Sequence, residues 1–302
     1  MAQKMVTSFR RSLSFPNPPA HISSKIPRKT LHVRSASLPC RSHPIIFQLR
    51  DQISELSSWS AAAARTSAWL CDGLRRLKSV HESLDDLLHL PQTRESFRHG
   101  GACADLAEKF LEDLLRFVDV YGTFQTLALK LKEEFSAAQI AVRRRDYLKI
   151  AAQSKNLNRV AKEIGKLASI NFVSVGKLSG AAGAPYDDEA EMIGTINDVL
   201  RVTVSVSALL FGGLSVSSAF RKPSPGMSFG VKSKNVRVEG GIREFQKMDL
   251  GNMRKMGDEE MKIATKKLHE VEDRILEIEG CAERAFRSLI NTRVSLLNVV
   301  TQ

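Results

Sequence analysis

The sequence predicts an all-α protein: an elongated antiparallel helical bundle with a long C-terminal helix, preceded by a disordered basic N-terminal tail. Three observations lead to this prediction. Over about the last forty residues, apolar side chains recur every three and four positions without a slip, which is typical of one long helix with a narrow buried stripe. Aromatic residues make up only 6% of the chain, while Leu, Ala, Lys, Arg and Glu are abundant. The first fifty positions hold no acidic residue.

Residues 1–43 are rich in Ser, Pro and Arg and have no helical period, so we expect a disordered tail. The first fifty residues carry nine basic side chains, which leaves only +3 of the net charge of +12 for the remaining 252 residues. Because the excess charge belongs to a tail and not to a folded face, nucleic acid is not an expected partner. The tail suits an organelle transit peptide, which is Arg- and Ser-rich and poor in acids, and it equally suits a regulatory segment.

A candidate phosphoserine motif lies in this tail. The residues Arg34, Ser35, Ser37 and Pro39 form an Arg-Ser-x-Ser-x-Pro string, which 14-3-3 proteins bind when the second serine is phosphorylated. A phosphate on Ser37 would offer nearly two negative charges to an arginine cluster, and Pro39 would turn the peptide out of the binding groove. The alternative is a chance match in a Ser- and Arg-rich segment.

One helical domain is expected over residues 44–302. It begins at Pro44, since proline suits the first position of a helix. The second helix is expected to stop at Pro91, another to begin at about Ala104, and a Gly-, Ser- and Ala-rich loop to span Asn171 to Pro185. The apolar side chains at helical spacing that we expect inside are Ile46, Leu49, Ile53, Leu56, Trp59, Trp69, Leu70, Leu74, Leu77, Leu84, Leu88, Phe110, Leu114, Phe117, Tyr121, Leu127, Leu131, Phe135, Ile150, Leu157 and Ile164.

The segment from Val202 to Phe220 is ambiguous. It runs for nineteen residues without a charge, which is long enough for a membrane span. It also holds five Ser, one Thr and the pair Gly212-Gly213, so its apolar content is moderate. We expect a core helix, with a membrane-embedded or membrane-lying segment as the alternative. Residues 221–257 then form a flexible connection.

The last helix opens with Asp258 and the acids that follow it. Eleven of its twelve seam positions are apolar, and beyond Ala285 the apolar face widens to include Ile290 and Val294, together with Phe286 and Leu297. A dimer seam should stay narrow and be flanked by paired charges, so we expect burial inside a monomer, with a homodimer as the alternative. The seam positions are Met261, Ala264, Leu268, Val271, Ile275, Ile278, Ala282, Ala285, Leu289, Thr292, Leu296 and Val299.

The sequence contains no constellation that predicts an enzyme, a cofactor or a metal. The best metal candidate is the trio His81, Asp85 and His89, which share one helical face at four-residue spacing. Because no fourth ligand lies nearby, we expect an ordinary solvated stripe. The run Arg143-Arg144-Arg145 is expected to be a solvated helix end, since adjacent helical residues point in different directions.

The four cysteines, at positions 40, 71, 103 and 281, have unrelated spacings and no C-x-x-C pair. They are typical of reduced thiols in an intracellular protein. A cytoplasmic location is expected, with membrane association or a plastid as alternatives.

A resemblance to known proteins rests on three stretches of the chain: His32–Pro44, Leu84–Pro91 and Leu289–Asn298. In this order they resemble blocks of the plant-specific BYPASS-type family, a plant domain of unknown function. Cys40 stands where the family pattern would have Ser. The resemblance implies a plant protein connected with root and shoot development, without an assigned reaction or catalytic residues. It also places the Ser37 motif inside a family block.

The combined prediction is a non-enzymatic helical interaction or regulatory protein. By resemblance it is linked to root and shoot development, and we expect phosphoregulation through the tail, with 14-3-3 proteins binding phosphorylated Ser37. The alternative is a membrane-associated protein that uses residues 202–220 and the basic tail.

Overall fold

The computed structural model describes residues 43–61, 65–98, 102–170, 187–215, 242–246 and 257–301. All of them belong to the compact unit Cys40–Gln302. Within these ranges the chain forms helices and no strand, so the predicted all-α class is confirmed. The helices are α1 (Pro44–Ser60), α2 (Ser67–Leu88), α3 (Pro91–Arg98), α4 (Ala102–Arg143), α5 (Tyr147–Ile170), α6 (Asp187–Ser215), α7 (Arg243–Gln246) and α8 (Asp258–Thr301).

Six long helices close into a ring. Helix α1 packs on α2 and α6, α5 packs on α4 and α6, and α8 packs on α2 and α4. Aromatic rings fill part of the space inside: the ring centroid of Phe211 lies 5.7 Å from that of Tyr121 and 5.3 Å from that of Phe124. Every long helix therefore has at least two neighbours, and α2 and α6 also contact each other. The outermost side of each long helix faces away from the core.

In two pairs of neighbouring helices in this ring, the two helices run in the same direction. Cys71 contacts Cys281 and His81 contacts Thr292, so α2 and α8 advance together along the bundle. Helices α1 and α6 are also parallel, since Arg50 pairs with Glu191 and later residues of both helices line one groove. Helices α1 and α2 are antiparallel, as predicted, since Gln48 contacts Ser83 while Trp59 stacks on Trp69, and α4 and α5 are antiparallel as well, since Asn156 donates to Glu134. Parallel neighbours need a longer crossover, and here other helices supply it.

Prolines begin two of the helices. Pro44 is the first residue of α1, as predicted, and the His43 imidazole accepts a hydrogen bond from the Ile45 backbone N–H at 3.3 Å. The second helix ends at Leu88, before the predicted stop at Pro91. Pro91 then opens α3, a short helix that was not predicted from the sequence.

The corner between α1 and α2 is built on two stacked indoles. The rings of Trp59 and Trp69 lie 4.2 Å apart, and each indole N–H donates to the other residue's backbone carbonyl. A glycine makes this stacking fit: an added Cβ at Gly73 would lie 2.1 Å from the Trp59 ring. Both tryptophans were predicted to fill core; Trp59 is buried and Trp69 is half-buried.

The two longest helices are α4, with 42 residues, and α8, with 44. At 1.5 Å per residue each spans roughly 65 Å. Every predicted seam position of α8 is buried except Ala264, which is half-buried, and α8 packs on several helices of its own chain. The predicted widening of the buried face is wrong in part. Val294 is 47% and Leu297 39% exposed, so the helices that pack on α8 leave this side of it uncovered.

The ambiguous segment continues α6 as far as Ser215, and residues 216–220 lie outside the described part. Its Val-Thr-Val-Ser alternation forms helix and not strand. Val206, Leu210 and Phe211 are almost fully buried in the bundle. The described portion of this segment therefore contributes to the core.

Candidate functional site

The predicted phosphoserine motif Arg34, Ser35, Ser37 and Pro39 lies outside the described residues, as does the predicted loop from Asn171 to Pro185. The structure therefore leaves both predictions untested. The chemical groups that it does describe lie in three places: a polar cluster in the core, a pair of thiols, and a groove at the start of α2.

The polar cluster is centred on His81, whose side chain is fully buried. Its Nε2 lies 3.0 Å from the hydroxyl of Thr203 on α6, and its Nδ1 lies 3.3 Å from the hydroxyl of Thr292 on α8. Both threonines are fully buried as well. One imidazole from α2 therefore ties three helices together in the middle of the bundle.

The proton positions in this cluster follow from counting donors. Burial lowers the pKa of His81 to about 3, so the ring is neutral and carries one N–H. The Thr203 hydroxyl donates to the Val199 carbonyl at 2.7 Å, so it can only accept from Nε2–H. With the proton on Nε2, Nδ1 accepts, and the Thr292 hydroxyl 3.3 Å away is its donor, although the Ser288 and His81 carbonyls lie at 3.0 and 3.3 Å from the same hydroxyl. The arrangement assigns the Nε2–H tautomer.

A second hydrogen-bonded pair extends the cluster along α6. The Ser207 hydroxyl donates to the Thr203 carbonyl at 2.6 Å, so it accepts from the Tyr121 phenol at 3.1 Å. Burial raises the pKa of Tyr121 to about 12, which keeps the phenol protonated as this donor. Buried polar groups with satisfied partners favour one packing arrangement over others.

The predicted metal candidate does not assemble. His81 lies in the core, so the expected solvated stripe is wrong for that residue. His89 is exposed at the end of α2 and its Nδ1 contacts the Asp85 carbonyl at 2.7 Å. Over the described ranges, no cluster of three metal-ligating side chains is present.

Two cysteines distant in the sequence meet between α2 and α8. Cys71 and Cys281 are buried, and their side chains are hydrogen-bonded to each other. Burial, together with the neighbouring thiol of Cys281 and the charge of Glu277, raises the pKa of Cys71. Arg284 donates from its guanidinium to the Cys281 sulfur at 3.1 Å. Both are thiols in this structure, as predicted, but their proximity was not predicted.

Helix α7 lies inside the predicted flexible connection, of which residues 242–246 and 257 are described. Ile242 and Phe245 are buried, and the Phe245 ring packs edge-on against Phe135 at 6.0 Å. The Ile242 N–H donates to the Gly213 carbonyl at 3.2 Å. These contacts fix α7 against α4 and the end of α6.

Glu244 on α7 caps the start of α2. Its Oε1 accepts from both the backbone N–H and the hydroxyl of Ser67, each at 2.9 Å, and its Oε2 is buried without a protein donor. Beside it opens a groove of about 660 Å³, with Arg243 and Lys267 on its rim. A carboxylate at a helix N-terminus stabilises the helix, so we interpret this contact as structural.

The predicted solvated helix end is confirmed. Arg143, Arg144 and Arg145 are exposed where α4 ends. Arg145 has the left-handed backbone (φ 53°) that reverses the chain into α5, and its guanidinium pairs with Asp258 at the start of α8.

One described helix is long and apolar enough to cross a membrane by length and composition, over Ala190–Ser215, and 61% of that window is buried inside the bundle. A buried core helix of a soluble protein passes the same test.

Sequence reasoning missed the core position of His81, although a signal was present: His81 follows Leu77 by four residues and precedes Leu84 by three, on the buried stripe of α2. No comparable signal predicted Glu244, since its partner lies 177 positions away.

Comparison with known proteins gives one match. No curated protein and no solved structure matches the chain. Residues 73–299, about three quarters of the chain, match the family described as Protein BPS1. Two of the three blocks that carry the predicted resemblance, 84–91 and 289–298, lie inside this match, and the predicted BYPASS-type family is confirmed. The chain belongs to the BPS1 family.

Proposed function

We propose that this protein is a non-enzymatic helical interaction protein of plant development, regulated through phosphorylation of Ser37. Membership of the BPS1 family fits a plant developmental regulator. The observation that carries the phosphoregulation is the string from Arg34 to Pro39, in a stretch without acidic residues ahead of the first helix.

The chemistry of the described bundle supports a binding role. The imidazole of His81, the phenol of Tyr121 and the thiol of Cys71 are each buried and hydrogen-bonded to other core side chains. Groups held in this way stabilise a core and are not available to a substrate. A rigid bundle with a basic, serine-bearing tail suits a protein whose partners are chosen by phosphorylation.

The test is binding of 14-3-3 protein to a peptide of residues 32–44 phosphorylated on Ser37, measured by fluorescence polarisation. We expect a Kd of about 1 μM or lower, because the phosphate pairs with an arginine cluster in the groove. The same peptide phosphorylated on Ser35 instead is the matched control and should bind at least about tenfold more weakly. Equal binding of both peptides, or none by either, would refute the phosphoregulation.

A second candidate is a membrane-associated protein, which the length and composition of Ala190–Ser215 favour. In that case α6 would have to leave the bundle, or the basic tail would hold the protein on an anionic surface. Flotation of the full chain with anionic vesicles tests this candidate. Protein that stays at the bottom of the gradient at low salt would exclude it, and protein that floats would support it.

A further inference from the structure

Exposed apolar side chains are concentrated on α4 and α8. Nine large apolar side chains in the described residues are substantially exposed, and seven of them belong to these two adjacent helices. The remaining two are Phe47 on α1 and Leu148 on α5. The seven are Leu115, Leu129, Ile140, Ile263, Leu276, Val294 and Leu297.

The spacing of six of the seven makes stripes and not scattered points. Ile263 lies 13 residues before Leu276, about 3.6 helical turns, and so falls on another side of α8. On α4 the exposed positions 115, 129 and 140 are about four and then three helical turns apart. On α8, Leu276 and Val294 are about five turns apart. Each set therefore lies along one side of its helix.

The two stripes lie close together at one end of the bundle. Gln139 and Ser136 on α4 donate to the Glu272 carboxylate, and the end of α4 pairs with the start of α8, so the helices are antiparallel neighbours. The first half of α4 therefore lies beside the second half of α8. We call this region the α4–α8 apolar surface: Leu111, Leu115 and Val118 with Ile290, Val294 and Leu297.

The two flanks of this surface have opposite charge. The first half of α4, residues 102–122, contains five acids and two bases. The second half of α8, residues 280–301, contains three arginines and one acid, Glu283, which pairs with Arg287. Asp119 and Arg287 are exposed representatives of the two flanks, at similar heights in the antiparallel pair.

We propose that this surface binds a second copy of the same chain about a two-fold axis parallel to the helices. That symmetry brings α4 of each copy against α8 of the other, so the acidic flank of each copy meets the basic flank of its partner. It also buries both apolar stripes in a four-helix contact. A surface with an acidic and a basic half is complementary to itself only in this orientation, which is the reason to choose a second copy over an unrelated helix.

Sedimentation equilibrium of the full chain tests the proposal. We expect the apparent mass to rise from 33.5 kDa towards twice that value as the concentration increases. The double variant Leu115→Ser, Val294→Ser should weaken the association at least about tenfold, because both residues lie at the centre of the contact. Leu148→Ser removes an even more exposed leucine from α5 and is the matched control, with unchanged association.

Charge reversal distinguishes the proposed two-fold contact from non-specific hydrophobic association. Asp119→Arg and Arg287→Glu should each weaken association, and the double reversal should restore it, because both flanks then change sign together. Circular dichroism confirms that each variant stays folded. A wild-type chain that remains monomeric at about 100 μM, or a Leu115→Ser, Val294→Ser variant that associates like the wild type, would overturn the proposal.

Discussion

Replacing His81 by leucine should make the protein less sensitive to acid. The imidazole is buried and neutral in the folded state, and it becomes accessible on unfolding. Below pH 6.5 the unfolded chain binds a proton that the folded chain does not. The contribution of the neutral His81 to the free energy of unfolding is therefore fully present above pH 6.5, and it is lost as the pH falls towards about 3.

The size of this effect follows from the two pKa values. Each pH unit below 6.5 removes about 1.4 kcal/mol from the free energy of unfolding. Between pH 7.5 and 5 the loss from His81 alone is about 2 kcal/mol. The substitution itself leaves no hydroxyl unpaired, because Thr203 keeps its bond to the Val199 carbonyl and the Thr292 hydroxyl can turn to donate to the Ser288 carbonyl, 3.0 Å away. We therefore expect His81→Leu to cost no more than about 2 kcal/mol at pH 7.5.

Urea denaturation followed by circular dichroism at several pH values measures this difference. The gap in unfolding free energy between the wild type and His81→Leu should narrow by about 2 kcal/mol from pH 7.5 to 5, because other titrating groups affect both proteins equally. Thr203→Val is the companion variant. It leaves the Nε2–H of His81 without an acceptor and should lower the free energy of unfolding by about 1–3 kcal/mol at pH 7.5. If the free energy of unfolding fell equally with pH in the wild type and in His81→Leu, the conclusion that His81 is buried and neutral would be refuted.

Two further substitutions, each with a matched control, test the packing by urea denaturation. Gly73→Ala should lower the free energy of unfolding by about 1–3 kcal/mol, because the new methyl group meets the Trp59 ring. Gly122→Ala is its matched control, because a Cβ there meets nothing within 4 Å. This change should raise the free energy of unfolding by about 0.5–1 kcal/mol. A lower free energy of unfolding would contradict a continuous α4 helix at this position. Glu244→Ala should cost about 1–3 kcal/mol through loss of the α2 cap, whereas Glu270→Ala on the same groove should be nearly neutral.

The helices of this protein could be predicted wherever the apolar period extends over many turns. In α8 each turn buries one or two side chains, so the three-and-four alternation marks the buried seam almost residue by residue. The start of α1 was predictable for a different reason, because Pro44 fits only the first turn. Both signals are local.

Short helices and helix neighbours carry no such signal. Helix α3 has eight residues, of which only Thr93 and Phe97 are buried, and α7 has four. Such pieces are too short to be stable alone and depend on contacts with distant parts of the chain. The same holds for the meeting of Cys71 with Cys281, because a period identifies the buried side of a helix and not its neighbour.

The exposed end of α8 shows why this distinction matters for function. A face that widens past Ala285 indicates that more apolar surface is present than one neighbouring helix can cover. It does not indicate whether the additional cover comes from the same chain. In the structure α2 and α4 cover the seam, and Val294 and Leu297 remain exposed. In the sequence, the wider apolar face of α8 favoured a monomer. In the structure, part of that face is exposed, and it forms the apolar part of a surface that suits a second copy of the chain.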